Sequence, residues 1–284
     1  MTYTTGDAWR RKPTLTAVPR RDSTRADEQN LKESHLNRLR QPQSTVASKH
    51  ETPAAVAKRR YDISVQLDDG RVIAQEHFAP ADFYLEDICA NFSRGTLIAA
   101  QNGQTAIEDL RPGDKIKTRD NGVMSVRWIG SCDFGGPQTA SEQSGFPIRI
   151  KAGALGEMRP EQDLLVSSRF RLLSNHPSCT ALFGSSETLA AAKDLLDEDT
   201  VLQVRPPQDI TFFNLMLDSH QIIQANGLDT ESYHPGNFGI SVMTLEMQHH
   251  LRQIFPHLDG NLSRFGRTVR PILKGFEAEV LRVG

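Results

Sequence analysis

The stretch Gly95–Gly122, GTLIAAQNGQTAIEDLRPGDKIKTRDNG, decides how this chain folds. Two short apolar-rich runs, GTLIAA and DKIKT, are separated by Asn102-Gly103 and Pro112-Gly113 and followed by Asn121-Gly122. Each of these dipeptides forms tight turns, because glycine adopts positive φ without steric cost and asparagine tolerates it. A helix needs apolar residues recurring every three or four positions over ten residues or more, and no such run is present here. The same texture continues downstream in MSVRWIG, FPIRIKAG, DLLVSS, FRLLS, TVLQV, ITFFNLML and HQIIQA, punctuated by Gly135-Gly136-Pro137 and Asn226-Gly227. Many short strands with turn signals about every ten residues predict an antiparallel all-β body.

Upstream, YDISVQLDDGRVIAQEHF alternates apolar and polar residues on both sides of Asp69-Gly70 and predicts a β-hairpin. PADFYLEDICANF follows, with Phe83, Ile88 and Phe92 at helical spacing behind a proline and an aspartate, as in a short capped helix. Downstream, SSETLAAAKDLLD offers a second helical interval with Ser186 as its cap and Leu189 and Leu195 apolar. VMTLEMQHHLRQIFPHL places Leu245, Leu251, Ile254, Phe255 and Leu258 on one stripe, predicting a helix laid against the sheet. GRTVRPILKGFEAEVLRV reads as a last strand or a terminal clasp, and Gly135–Gly145 as a polar loop. The expected organisation is therefore a basic arm over 1–60, a hairpin and short helix over 61–90, the β body over 91–236, and a C-terminal helix and tail over 237–284.

Charge separates the arm from the rest. Residues 1–60 hold 13 Lys and Arg against 6 Asp and Glu, a net of +7, which leaves 20 basic and 29 acidic residues after position 60, a net of −9. The arm lacks the apolar periodicity that would offset its ordering entropy, so disorder is expected. Contact with nucleic acid or anionic membrane is conceivable only through this arm. Its basic residues are interrupted by acids, which favours a solvated tail instead. The first residues show no apolar stretch or cleavage pattern of a signal peptide, so a cytoplasmic location is expected, with signal-independent secretion as the alternative. The three cysteines, Cys89, Cys132 and Cys179, are widely spaced and form no Cys-x-x-Cys pair, as expected of reduced thiols. His249 and His250 are adjacent on the predicted helix and make a poor metal pair. No metal or cofactor is expected.

The block opened above, together with VRWIG, PIRIKAGALG, DLLVSSRFRLL, NLMLDSHQIIQANGLDTESYHPG and RPILKGFEAEVL, resembles the Hint superfamily, the shared fold of inteins and of the autoprocessing part of Hedgehog proteins. The resemblance is to bacterial stand-alone members and covers about two thirds of the chain. It implies a flat, pseudo-twofold β body that rearranges its own peptide bond. The first residue of such a domain carries a thiol or hydroxyl that attacks the preceding carbonyl. A serine or threonine followed three residues later by histidine polarises that amide and protonates its nitrogen, and a later histidine assists.

Carried over residue by residue, the resemblance puts Asn91 at the nucleophile, Ser167 and Phe170 at the serine and histidine, and His220 at the later histidine. A carboxamide nitrogen is delocalised and attacks poorly, and a phenyl ring transfers no proton. Cys89 and Ser93 each lie two residues from the required place, about 7 Å along an extended chain, too far for the five-membered ring. Two readings of Cys89 are open, a buried small hydrophobe or a displaced nucleophile, and two of His220, a packed histidine or a surviving catalytic one. His234-Pro235-Gly236 reads as a turn, and the terminal His-Asn pair of splicing members has only Glu231-Ser232 near its place. The expectation is a degenerate Hint module without splicing or autocleavage. It would bind an unknown protein or small molecule, or act structurally, with Asn91, Phe170 and His220 as remnants of a cleft. The alternative is an active self-processing protein cutting near residues 89–93.

Overall fold

The computed structural model describes residues 58–137, 139, 145–237 and 244–278. The arm over 1–57 and most of the polar loop, 138 and 140–144, lie outside the described residues. The described residues open with a hairpin of β1 (Lys58–Gln66) and β2 (Val72–Pro80), and β1 starts three residues before the expected boundary. Tyr61, Ile63 and Val65 are buried at alternate positions, and Gly70 turns the chain at φ +83°. Helix α1 (Phe83–Cys89) follows, its first turn capped by the Asp82 carboxylate, which accepts the Tyr84 N–H.

The β body then runs through β3 (Phe92–Ser93), β4 (Leu97–Ala100), β5 (Gly103–Ala106), β6 (Lys115–Thr118), β7 (Gly122–Ser125), β8 (Trp128–Phe134), β9 (Ile148–Ile150), β10 (Leu164–Val166) and β11 (Arg171–Ser174). A five-residue helix, α2 (Cys179–Phe183), leads to β12 (Thr188–Ala191), β13 (Val201–Gln203), β14 (Ile210–Met216), β15 (Ile222–Ala225) and β16 (Leu228–Glu231). The strands form two eight-stranded sheets. One has the order β13-β9-β10-β3-β14-β8-β1-β2, and the other β12-β11-β16-β15-β4-β6-β7 with β5 on β4. All pairings of the named strands are antiparallel, so the all-β expectation holds.

Strand β14 shows how the layers are built. Phe213 and Leu215 point into a core shared by both sheets, with Phe92, Ile98, Ile116, Phe170 and Ile223. Phe212 and Met216 point the other way, into a second core with Tyr61, Ile88, Trp128 and Phe134. That outer core is closed by helix α3 (Leu245–Ile254), whose Leu251 and Ile254 are buried and whose Ile254 carbonyl accepts the Trp128 indole N–H at 2.8 Å. The first sheet is thus covered on both faces, and the hairpin and α1 are part of its packing.

Two expectations are corrected. The interval around Leu189 is strand β12 with a 3-10 turn over Ala192–Leu195, because pairing with β11 at a sheet edge outweighs local helix propensity. Leu245 lies outside the buried stripe, 84% exposed as the first residue of α3. Of the two readings of the tail, strand or clasp, the described residues take the clasp: Leu189 N–H donates to the Pro271 carbonyl and Leu273 N–H to that of Leu189, each at 2.8 Å. Among the described residues no helix is long and apolar enough to cross a membrane.

Candidate functional site

Asn91 sits where α1 ends and β3 begins, clamped between two strands. Its N–H donates to the Phe213 carbonyl at 3.1 Å, and its carbonyl accepts the Ser167 N–H at 3.1 Å. Its side chain is buried too: Nδ2 donates to Asn214 Oδ1 at 3.3 Å, while Asn214 Nδ2 donates to the Ile88 carbonyl at 2.9 Å. Two carboxamides therefore hold the end of α1 and the start of β3 together across β14.

Ser167 opens the turn from β10 toward β11, and its Oγ is buried with no hydrogen-bond partner. Three residues on, Phe170 is fully buried and meets the Phe92 ring edge-on at 5.2 Å. Where a histidine would need room to move a proton, the shared core is filled with aromatic packing. Asn91, Ser167 and Phe170 are thus brought together by the fold.

His220 lies in a different cluster. Its Nδ1 accepts the Val269 N–H at 3.1 Å, so Nε2 carries the proton and donates to Glu231 at 3.0 Å. The carboxylate is also gripped by Arg171, whose Nη1 reaches both oxygens at 2.8 and 2.9 Å. His234 stands edge-on to His220 at 5.1 Å, accepting the Gly236 N–H at Nδ1 and donating from Nε2 to the Gly266 carbonyl. Burial, and then the nearby His220, hold its pKa below the ordinary histidine value. Both rings are locked by backbone groups of the segment after residue 265. Among the described residues no hydrogen bond joins His220 to Asn91, and Asn91, Phe170 and His220 are all buried rather than lining a cleft.

Asp87 lies between the clusters. Burial pushes its carboxyl up to about 6, against the opposing pull of Arg169, 3.9 Å away, and Arg171. Tyr233 Oη is buried without a partner. Asp87, Arg171, Asn214, Glu231 and His234 were not singled out from the sequence as members of a site. Glu231 was within reach of such reasoning, because a hairpin turning on Asn226-Gly227 sets Ile222 opposite Glu231 and carries His220 to the same end. The others depend on contacts between distant strands.

Cys89 closes α1 and is wholly buried, so the extended-chain spacing assumed for it does not apply. His250 Nδ1 hydrogen-bonds His77 Nε2 at 3.0 Å, and among the described residues no group of three or more His, Cys, Asp or Glu is placed to hold a metal.

A family model described as Hint domain matches residues 89–237. Among solved structures, the solution structure of a bacterial intein-like domain from Clostridium thermocellum is similar, at 12% identity and a TM-score of 0.35, over 50% of this chain and 99% of that one. No curated protein matches.

Proposed function

Because this chain belongs to the Hint-domain family, we propose that its domain keeps the family's body without the cleavage chemistry and serves as a binding or structural module. The observation that carries this reading is the pair Asn91 and Phe170. Residue 91, at the place the resemblance gives to the nucleophile, has only a carboxamide, committed to Asn214. Residue 170, at the place of the proton-transferring histidine, is a phenyl ring packed on Phe92. No acyl shift starts from an amide nitrogen, and no departing nitrogen is protonated by a benzene ring. The state of His220 supports the same reading, since its one proton is held by Glu231 and its other nitrogen by Val269.

The segment before Asn91 adds a structural argument. It supplies two strands of the first sheet and part of the outer core, so it is no detachable passenger. The partner of such a module would be a protein or a small molecule. A cavity of about 420 Å³ between the hairpin and the turn over Ile107–Arg111, lined by Ser64, Ala74, Glu108 and Phe213, is one place for it.

Self-cleavage near residues 89–93 is the second reading, favoured by Ser167, whose N–H meets the Asn91 carbonyl and whose Oγ is buried and unpaired. Intact-mass analysis under denaturing conditions, after incubation with a thiol or hydroxylamine, separates the two. A single full-length mass is expected. Two pieces with a new amino terminus between residues 89 and 93 would establish the second reading.

A further inference from the structure

The first sheet ends at β2, whose outer side meets no other described strand. Gln66 N–H donates to the Arg127 carbonyl on the β8 side, so even-numbered residues of β1 bond toward β8 and odd-numbered ones toward β2. In the register Val65↔Ile73, Ile63↔Gln75 and Tyr61↔His77, it is therefore Ile73, Gln75 and His77 that bond to β1. The N–H and carbonyl groups of Val72, Ala74, Glu76 and Phe78 turn outward, and among the described residues no backbone group of another segment meets them. Their side chains are exposed as well, Val72 at 51% and Phe78 at 58%. Over its nine residues β2 keeps a continuous register with β1, without the bulges, lysines or internal prolines that guard free edges.

We propose that β2 is a homodimer interface: two copies of this chain pair antiparallel along it, about a twofold axis through Gln75, and join their first sheets into one. The strand itself selects both partner and register. Outward backbone groups must face outward backbone groups, so the axis passes through a residue of β2 and not between two residues. An axis through Glu76 would set two carboxylates directly opposite each other, and one through Ala74 would place Phe78 against Gly70. An axis through Gln75 instead sets Val72 opposite Phe78 twice, and Glu76 opposite Ala74. Arg60, 3.5 Å from Glu76 in the same protomer, keeps a cation beside each of those carboxylates. Each outward pair exchanges backbone hydrogen bonds, and each exposed phenyl ring is covered by a valine. The cavity beside the Ile107–Arg111 turn has Ala74 and Glu76 in its wall, so the two cavities of a dimer would open on one continuous face.

One strand pair buries less than the ~1,200 Å² of ordinary stable interfaces, so a Kd of about 10–50 µM is expected. Sedimentation of the full-length chain across that range should show the mass rising from that of one chain toward twice that value. Gln75→Cys should form an intermolecular disulfide under mild oxidation, since a residue on the axis faces its own copy at a Cα separation of about 4.5 Å. Ile73→Cys, which faces His77, should not. Ala74→Pro removes an outward N–H that β1 does not use, and should weaken association about tenfold or more. Phe78→Lys, at an exposed position, should do the same. A chain that stays monomeric across that range overturns the proposal, and an edge reserved for a strand of another protein would appear in this way. A dimer untouched by Phe78→Lys, or one that Ile73→Cys cross-links as readily as Gln75→Cys, overturns it too. Phe78→Lys and the two cysteine variants decide the matter even if Ala74→Pro fails to fold. The outcome is independent of whether the chain cleaves itself.

Discussion

The two buried clusters of this domain have diverged in opposite ways. Around Asn91, Ser167 and Phe170 two carboxamides and one unpaired serine hydroxyl are packed against aromatic rings. Around His220, Glu231, Arg171 and His234 the titratable groups are all present but saturated by one another and by backbone. The contrast teaches that one fold can bury polar groups in two ways, sparsely among rings or densely paired with one another. In one cluster a serine hydroxyl stands unpaired among amides and rings, whereas in the other the ring protons are committed.

The largest effect expected is a change in kind. Neither Asn91→Cys nor Phe170→His alone should cleave, whereas the two together should restore thiol-sensitive cleavage before residue 91, read as fragments by denaturing mass spectrometry. A double variant that folds and stays whole would sharpen the comparison, by showing that the committed protons of the His220 cluster are a second block. Next in size is Glu231→Ala, which leaves the partly buried Arg171 and the buried His220 without their carboxylate and should cost about 3 kcal/mol in urea denaturation. Phe170→Ala should cost a similar amount through the cavity it leaves.

Acid should act more weakly, and His257 provides a control outside both clusters. Both of its ring nitrogens are buried without partners, and burial and then Arg127 bring its pKa down to about 4. The unfolded chain takes up this proton near pH 6.5 and the folded chain only near 4, so stability falls as pH drops through that window, by up to about 3 kcal/mol. His234, also lowered, contributes in the same direction. His257→Phe should flatten the curve, and denaturation midpoints between pH 7 and 4 measure it. Asp87 has the opposite sign. Its carboxyl, raised to about 6, takes up a proton in the folded chain before it would in the unfolded one, so acid relieves a penalty present at neutral pH. Its side chain is still 21% exposed, which dampens the effect. Asp87→Asn should stabilise the domain by about 1 kcal/mol at pH 7 and by nothing measurable near pH 4.

The first cluster was legible in the sequence because its members sit in runs of fixed spacing, Asn91 four residues before Gly95 and Phe170 three after Ser167. The second was legible only at His220. Arg171 and Glu231 are 60 residues apart and meet because β11 pairs with β16, which no local pattern announces. For the same reason β12 looked helical: alanine and leucine favour a helix locally, and the strand exists because β11 offers an edge and Pro271–Leu273 cover it.

Taken alone, the sequence determined the strand texture, the turns at Asp69-Gly70 and Asn226-Gly227, the capped helix α1, and which side chains stand where the resemblance places cleavage residues. These are set by backbone sterics and side-chain chemistry acting within a few residues. Only the tertiary structure decided that the segment before Asn91 is built into a sheet, that Cys89 is wholly buried, and that His220 is held from both sides. Those facts arise where strands remote in sequence exclude water together, and burial there fixes which buried polar groups find partners.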